Sequence, residues 1–219
     1  MLAVASISAR LLAEIAAEEG HRVIALDLFG DDDTRRVSSQ WLRIGGPSSM
    51  RIDGERLLDA LGALTQRGDV DGWLIGSGFE GQPELLAEAS ALLPLFGTAA
   101  SDVKRVRDPQ TFFAALDRLG IAYPAVRHSA LSDATGWLVK DAGGCGGWQV
   151  RAAPAGKDLP PGHYFRREVR GTPMSATFVA NGRDAIVLGI NQQPVQCIGA
   201  RPFVFCGVVG PLPMDAALA

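Results

Sequence analysis

For its first hundred residues the chain alternates apolar runs of strand character with segments whose apolar positions recur at helical spacing. Leu2 to Ser6 is a short strand-like run, and Ala9 to Glu19 then carries Leu11, Leu12, Ile15 and Ala16 on one helical face before stopping at Gly20. His21 to Phe29 is nearly continuously apolar, the pattern of a parallel strand buried on both faces. Strand, helix and strand in that order form a right-handed crossover. Gly54 to Gln66 predicts another helix, Gly72 to Ile75 a strand, Pro83 to Leu92 a helix and Leu95-Phe96 a brief strand. Residues 1–100 are therefore expected to be a small doubly wound α/β domain with a parallel sheet.

The rhythm changes at Ser101. Asp102 to Arg107 carries Lys104, Arg105 and Arg107, and Asp108-Pro109 supplies an N-cap and first-turn proline for a helix from Gln110 to Leu119. Gly120 ends that helix and Ile121-Ala122-Tyr123-Pro124 follows. An apolar strand then ends on Lys140, and four glycines fall in the five positions from Gly143 to Gly147 before a second short strand. Pro160-Pro161-Gly162 predicts a turn, Tyr164 to Val169 an extended run, and Gly171-Thr172-Pro173 a break. Ser175 to Val179 and Ala185 to Gly189 predict two antiparallel strands across Asn181-Gly182. Arg201 to Pro213 is apolar and rich in glycine and proline, and Met214 to Ala219 begins a helical pattern. Two further boundaries are expected, giving segments 101–162 and 163–219.

Composition narrows the functional classes. A formal charge of −3 gives no basic footprint for nucleic acid. The three cysteines, Cys145, Cys197 and Cys206, lack metal spacing and suit a reducing compartment. The N-terminus lacks the basic and apolar regions of a signal peptide, and no segment has the length of a membrane span. A soluble cytoplasmic protein, with no membrane or nucleic-acid partner, is expected.

The segment Lys140 to Gly147 carries the chemistry. Closely spaced glycines let successive backbone N–H groups converge on an anion without Cβ clashes. A lysine at the strand end can reach the same phosphate as a point charge. The plainer reading is a glycine-rich hairpin beside a solvated lysine, but a tight hairpin needs one or two glycines. The lysine precedes the glycines and no helix follows, so this is not a Walker A loop. A flap between strands that covers phosphates fits better.

Two other motifs are weaker. Asp31-Asp32-Asp33 follows the second strand and either caps the next segment or faces a substrate; adjacent carboxylates cannot all converge on one cation, so no metal ligand is assigned. Gly76-Ser77-Gly78-Phe79-Glu80-Gly81 spells a dinucleotide fingerprint. It follows a late strand, Pro83 delays the helix, and no ribose-binding acid follows. A ligand-facing loop is the better expectation, with Gly78 and Glu80 at a substrate and Glu80 holding an amine.

In this order the pieces resemble the ATP-grasp superfamily. The residues that carry the resemblance are the loop Lys140 to Trp148, the segment Tyr164 to Gly171, and the helix Pro109 to Gly120 with its Ile-Ala-Tyr-Pro continuation. The resemblance implies a pre-ATP-grasp α/β domain over 1–100, an α+β N-terminal lobe with the glycine flap over 101–162, and the start of a second lobe over 163–219. It implies that ATP is bound, with Lys140 on the α- or β-phosphate and Gly143, Gly144, Gly146 and Gly147 as the flap. Glu168 would hold the adenine amino group, Val169 would offer its backbone to the adenine edge, and Arg167 beside them joins the nucleotide-binding set. Where the family often has a lysine, this chain has Pro109; Lys104 and Arg107 are the nearby cations that could take its place. The ribose-binding acid expected after Gly171 is replaced by Pro173 and Met174, and the carboxylates and asparagine that hold Mg²⁺ in the family are absent from the sequence.

The implied activity is ATP-dependent carboxylate–amine ligation through an acyl-phosphate, acting on a small carboxylate and an amine, with no residue singled out as catalytic. Leu26 to Asp31 and Gly76 to Glu80 resemble members linked to one-carbon carrier biosynthesis. The absent metal ligands leave open a non-catalytic nucleotide-binding module or partner subunit, or a fragment whose site another C-terminal polypeptide or a second copy completes. An NAD(P)-dependent oxidoreductase built on Gly76 to Gly81 is the remaining alternative. The apolar tail Phe203 to Leu212 is expected to need cover.

Overall fold

A computed structural model describes residues 1–46 and 48–213 of the chain. The helical pattern at Met214 to Ala219 lies outside the described residues. The fold is mixed α/β and divides into two compact units, Met1–Leu119 and Gly120–Ala219.

The first unit runs β1 (Leu2–Ala5), α1 (Arg10–Glu18), β2 (Val23–Asp27), α2 (Asp32–Val37), β3 (Ser38–Arg43), β4 (Gly45–Gly46), β5 (Arg51–Ile52), α3 (Gly54–Arg67), β6 (Gly72–Ile75), α4 (Pro83–Leu92), α5 (Ala100–Arg107) and α6 (Pro109–Leu119). Its main sheet is parallel in the order β3-β2-β1-β6. Strand β2 is buried at every position, as its nearly continuous apolar run predicts, with Asp27 buried at its end. Alternate residues serve the two faces. Ala3, Ala5, Ile24 and Leu26 pack with Leu57, Leu61 and Leu64 of α3 and with Trp73 and Leu86, while Val4, Val23 and Ala25 meet the alanines of α1. Asp31 and Asp53 cap α2 and α3 by accepting the N–H groups of Thr34 (2.8 Å) and Arg56 (3.3 Å). Asp108 does the same for α6, accepting from Thr111 at 2.7 Å.

Local pattern left gaps here. The edge strand β3 was not expected, because only one flank pairs and its opening Ser38-Ser39-Gln40 is polar. Helix α5 has no buried residue, so no apolar stripe announces it. The expected strand at Leu95-Phe96 is a single parallel bridge between Leu95 and Trp73. Pro94 has no N–H to extend the ladder on one side, and Gly97 follows on the other.

The second unit contains β7 (Val126–Arg127), β8 (Trp137–Asp141), β9 (Arg151–Ala152), β10 (His163–Arg167), β11 (Met174–Ala180), β12 (Ala185–Gln192), β13 (Val195–Ile198), β14 (Arg201–Phe205) and β15 (Val209–Leu212). They form an antiparallel sheet β7-β10-β8-β9, a three-stranded sheet β11-β12-β15, and the hairpin β13-β14. The expected hairpin turn is present, with the Asn181 side chain accepting from Arg183 and Asp184 (3.0 and 2.8 Å). At its tip Phe178, Val179, Ile186, Val187 and Leu188 are all more than half exposed. The apolar segment from Arg201 is partly covered: Val204 is buried, whereas Val208 and Val209 are not.

Candidate nucleotide-binding site

Period-two side-chain alternation decides which residues of β8 and β10 share a face. The register pairs Val139 with Phe165, and both are fully buried. It also pairs Lys140 with Tyr164 and Leu138 with Arg166. Lys140, Leu138, Tyr164 and Arg166 therefore stand together on the opposite face. Lys140 is half-buried there, and among the described residues no carboxylate or carbonyl meets its ammonium. Burial pushes the ammonium below the usual lysine range, and the nearby Arg166 charge acts in the same direction.

The glycine loop leaves β8 immediately after Lys140. Asp141 organises its start: the side chain accepts the Gly143 N–H at 2.9 Å and the carbonyl accepts the Gly144 N–H at 3.1 Å. Gly146 and Gly147 take φ values of +63° and +76°, where a Cβ is disfavoured. The loop is seated rather than loose. Phe205 donates its N–H to the Gly146 carbonyl (2.9 Å), and a Cβ on Gly147 would run into the Phe203 carbonyl oxygen of β14. The Arg201 guanidinium lies 4.7 Å over the Trp148 ring on the same side. Among the described residues no acceptor meets the N–H groups of Gly146, Gly147, Trp148 or Gln149. Four consecutive open donors, on the loop that begins directly after Lys140, can donate to the oxygens of a phosphate chain.

The other sequence candidates distribute as follows. Glu168 and Val169 follow β10 in exposed positions, and the Glu168 N–H is held by the Gly136 carbonyl at 2.9 Å. Arg167 points to the face away from Lys140. Its guanidinium donates to the Thr135 carbonyl (2.7 Å) and lies 5.7 Å from the Trp137 ring centre. Arg166, which sequence reasoning passed over, is the arginine on the lysine's face; only the β8–β10 register distinguishes the two.

Lys104, Arg107, Gly78 and Glu80 belong to the first unit. Lys104 pairs with Glu84 at 2.9 Å on the exposed surface, which raises the Lys104 pKa and lowers that of Glu84. Glu80 accepts the Gly78 N–H at 2.7 Å and lies 3.9 Å from the Arg107 guanidinium. Those contacts engage the carboxylate expected to hold an amine. Gly76 and Gly78 are needed for packing: a Cβ would meet the Ser6 hydroxyl at 2.5 Å in one case and Ile7 and Ile52 at 2.9 Å in the other.

The carboxylate of the fully buried Asp27 accepts from the Ala9, Phe29 and Gly30 backbone (3.0, 3.1 and 2.8 Å) and the Trp41 indole (2.7 Å). It ties α1 and the loop after β2 to the sheet. Among the described residues no three His, Cys, Asp or Glu side chains converge as a metal site. These residues do not supply a Mg²⁺ shell. No helix among them is long and apolar enough to cross a membrane.

A family model described as an ATP-grasp domain matches residues 106–217. No curated protein sequence matches the chain. Its fold is similar to that of an L-amino acid ligase from Bacillus licheniformis, at 16% identity and a TM-score of 0.68, over 99% of this chain and 55% of that one. It is also similar to a biotin carboxylase from Campylobacter jejuni solved as a β,γ-ATP complex, at 17% identity and TM-score 0.62, over 89% of this chain and 52% of the other. N5-carboxyaminoimidazole synthetase from Staphylococcus aureus, complexed with ADP, matches at 15% identity and TM-score 0.63, over 98% of this chain and 59% of that one. The chain thus spans between half and three-fifths of the length of these structures. With the match to residues 106–217 covering just over half of the chain, and the strand, lysine and glycine loop inside it, the protein belongs to the ATP-grasp family.

Proposed function

We propose that the second unit binds ATP, with its phosphates against Lys140 and the N–H groups of Gly146 to Gln149 in the glycine loop, as part of an ATP-dependent carboxylate–amine ligase. The observation that carries this reading is a half-buried ammonium at a strand end followed, on the loop it opens, by four consecutive backbone N–H groups, all without a protein partner among the described residues. A charge in that state is stabilised by an anion, and a row of donors suits a phosphate chain better than a single carboxylate. Glu168 and Val169, exposed beyond β10, are the groups we assign to the adenine edge. ATP would supply a phosphoryl group that activates a substrate carboxylate as an acyl-phosphate; the chain's own residues bind and orient its phosphates.

The narrower assignment to one-carbon carrier biosynthesis draws on Leu26 to Asp31 and Gly76 to Glu80. Within those segments Asp27 and Glu80 are engaged internally, which leaves that assignment to the sequence resemblance alone. The bare tip of the β11–β12 hairpin supports further polypeptide packing on this unit, from a second copy or a complementing chain.

Calorimetry with ATP, ADP and NADH tests the reading. ATP and ADP binding, lost by about 10- to 100-fold in Lys140→Ala, is the expected outcome. Unchanged affinity in that variant would remove Lys140 from the phosphates, and binding of NADH alone would return the protein to the dinucleotide reading.

A further inference from the structure

Arg166 is half-buried one register step from Lys140, on the same sheet face. Leu138 stands directly opposite it, so Arg166 and Lys140 are diagonal neighbours across the β8–β10 ladder. At that position side chains lie roughly 7–8 Å apart at the backbone and within reach of one another at their tips. Neither cation has a carboxylate partner among the described residues. The remaining groups on this face are Leu138, Tyr164, Val126 of β7 and Ala152 of β9, none of them acidic. His128 lies near Tyr164, its ring 6.4 Å from the phenol.

Two like charges on a partly desolvated, acid-free face repel each other, and folding alone provides no reason to hold them together. An anion bound between them turns that repulsion into attraction for both. An arginine adds what a lysine lacks, a planar fork that grips two oxygens at once. Resting on the assignment of phosphates to this face, we propose that Arg166 is a second polyphosphate-binding cation that acts together with Lys140. Arg167, although adjacent in sequence, has no such part, since its guanidinium is committed to Thr135 and Trp137 on the opposite face.

The test compares the wild type with Arg166→Gln, Arg166→Lys and Arg167→Gln, titrating ATP, adenosine and inorganic tripolyphosphate by calorimetry. Arg166→Gln should weaken ATP and tripolyphosphate about 10- to 100-fold and leave adenosine unchanged. Arg166→Lys should restore part of the loss, and Arg167→Gln should not reproduce it. NMR titration of the Lys140 ammonium provides a readout that a purely structural role would not move: its pKa should rise in Arg166→Gln. If the wild type binds ATP and Arg166→Gln binds it equally well, the proposal fails while the nucleotide reading stands. Tripolyphosphate binding that depends on Arg166, without ATP binding, would keep the cation pair and discard the nucleotide. Binding of none of the three ligands by the wild type would overturn both.

Discussion

The chain has two glycine-rich loops at strand ends, and they differ in what lies against their glycines and in the charge beside them. In Gly76–Gly81 the missing side chains make room for the protein itself. Ser6, Ile7 and Ile52 occupy the space where Cβ atoms would stand, and the Gly78 N–H is taken up by Glu80. In Gly143–Gly147 the carbonyl of Gly146 and the close approach of Phe203 anchor the loop to β14, and Gly143 and Gly144 donate to Asp141, while the N–H groups of Gly146 to Gln149 meet no acceptor among the described residues. The first loop packs its glycines against side chains of its own unit; the second packs Gly147 against the main chain of β14 and follows directly on a half-buried lysine. A glycine motif therefore indicates close approach of something, and the atoms lying where a Cβ would stand, with the charge beside the loop, tell the two cases apart.

The comparison can be broken most forcefully at Gly147. Gly147→Ala combines a left-handed backbone with a collision against a main-chain carbonyl, and should destabilise the second unit by roughly 3 kcal/mol. Denaturant unfolding followed by tryptophan fluorescence would measure it; a change near zero would mean that β14 is not the loop's seat.

Gly76→Ala should lower stability by about 1–3 kcal/mol through overpacking against Ser6, without altering affinity for ATP. A selective loss of ATP binding in this variant would place the first loop at the nucleotide and erase the contrast.

Lys140→Met sharpens the comparison through pH. The folded-state pKa of Lys140 is depressed, so the unfolded chain holds the proton more tightly. Its charge opposes folding at neutral pH, and that opposition fades as pH rises through the depressed folded value towards the ordinary lysine range. Lys140→Met should accordingly be the more stable protein near neutrality, with the advantage shrinking in alkali. An advantage that does not depend on pH would point to packing instead.

The smallest effect is expected at Lys104→Ala, which removes an exposed pair with Glu84. Thermal melts should move barely beyond their error, and ATP binding should be unchanged.

Much of this was legible in residue order. The apolar run at Val23–Leu26, the helices α1, α3 and α4, the caps at Asp31 and Asp108, and the Asn181-Gly182 turn all depend on neighbours within a few positions, although α1 buries Ala13 and Ala16 and leaves Leu11 and Ile15 of its expected face exposed. The Lys140–Gly147 segment stood out for the same reason. Helix α5 and strand β3 did not, because neither displays a complete apolar face: one has no buried residue and the other pairs on one flank. Within the site, sequence proximity named Arg167, and strand pairing selected Arg166 instead.

Local periodicity, capping residues and glycine density thus settled the element types and drew notice to the lysine and its loop, because each arises from interactions between residues close along the chain. Register across β8 and β10, the seat of the loop on β14, the internal commitments of Asp27 and Glu80, and the desolvation of Lys140 arise between residues tens of positions apart. Those properties exist only once distant strands have paired, because a one-residue shift in register would carry every side chain to the opposite face.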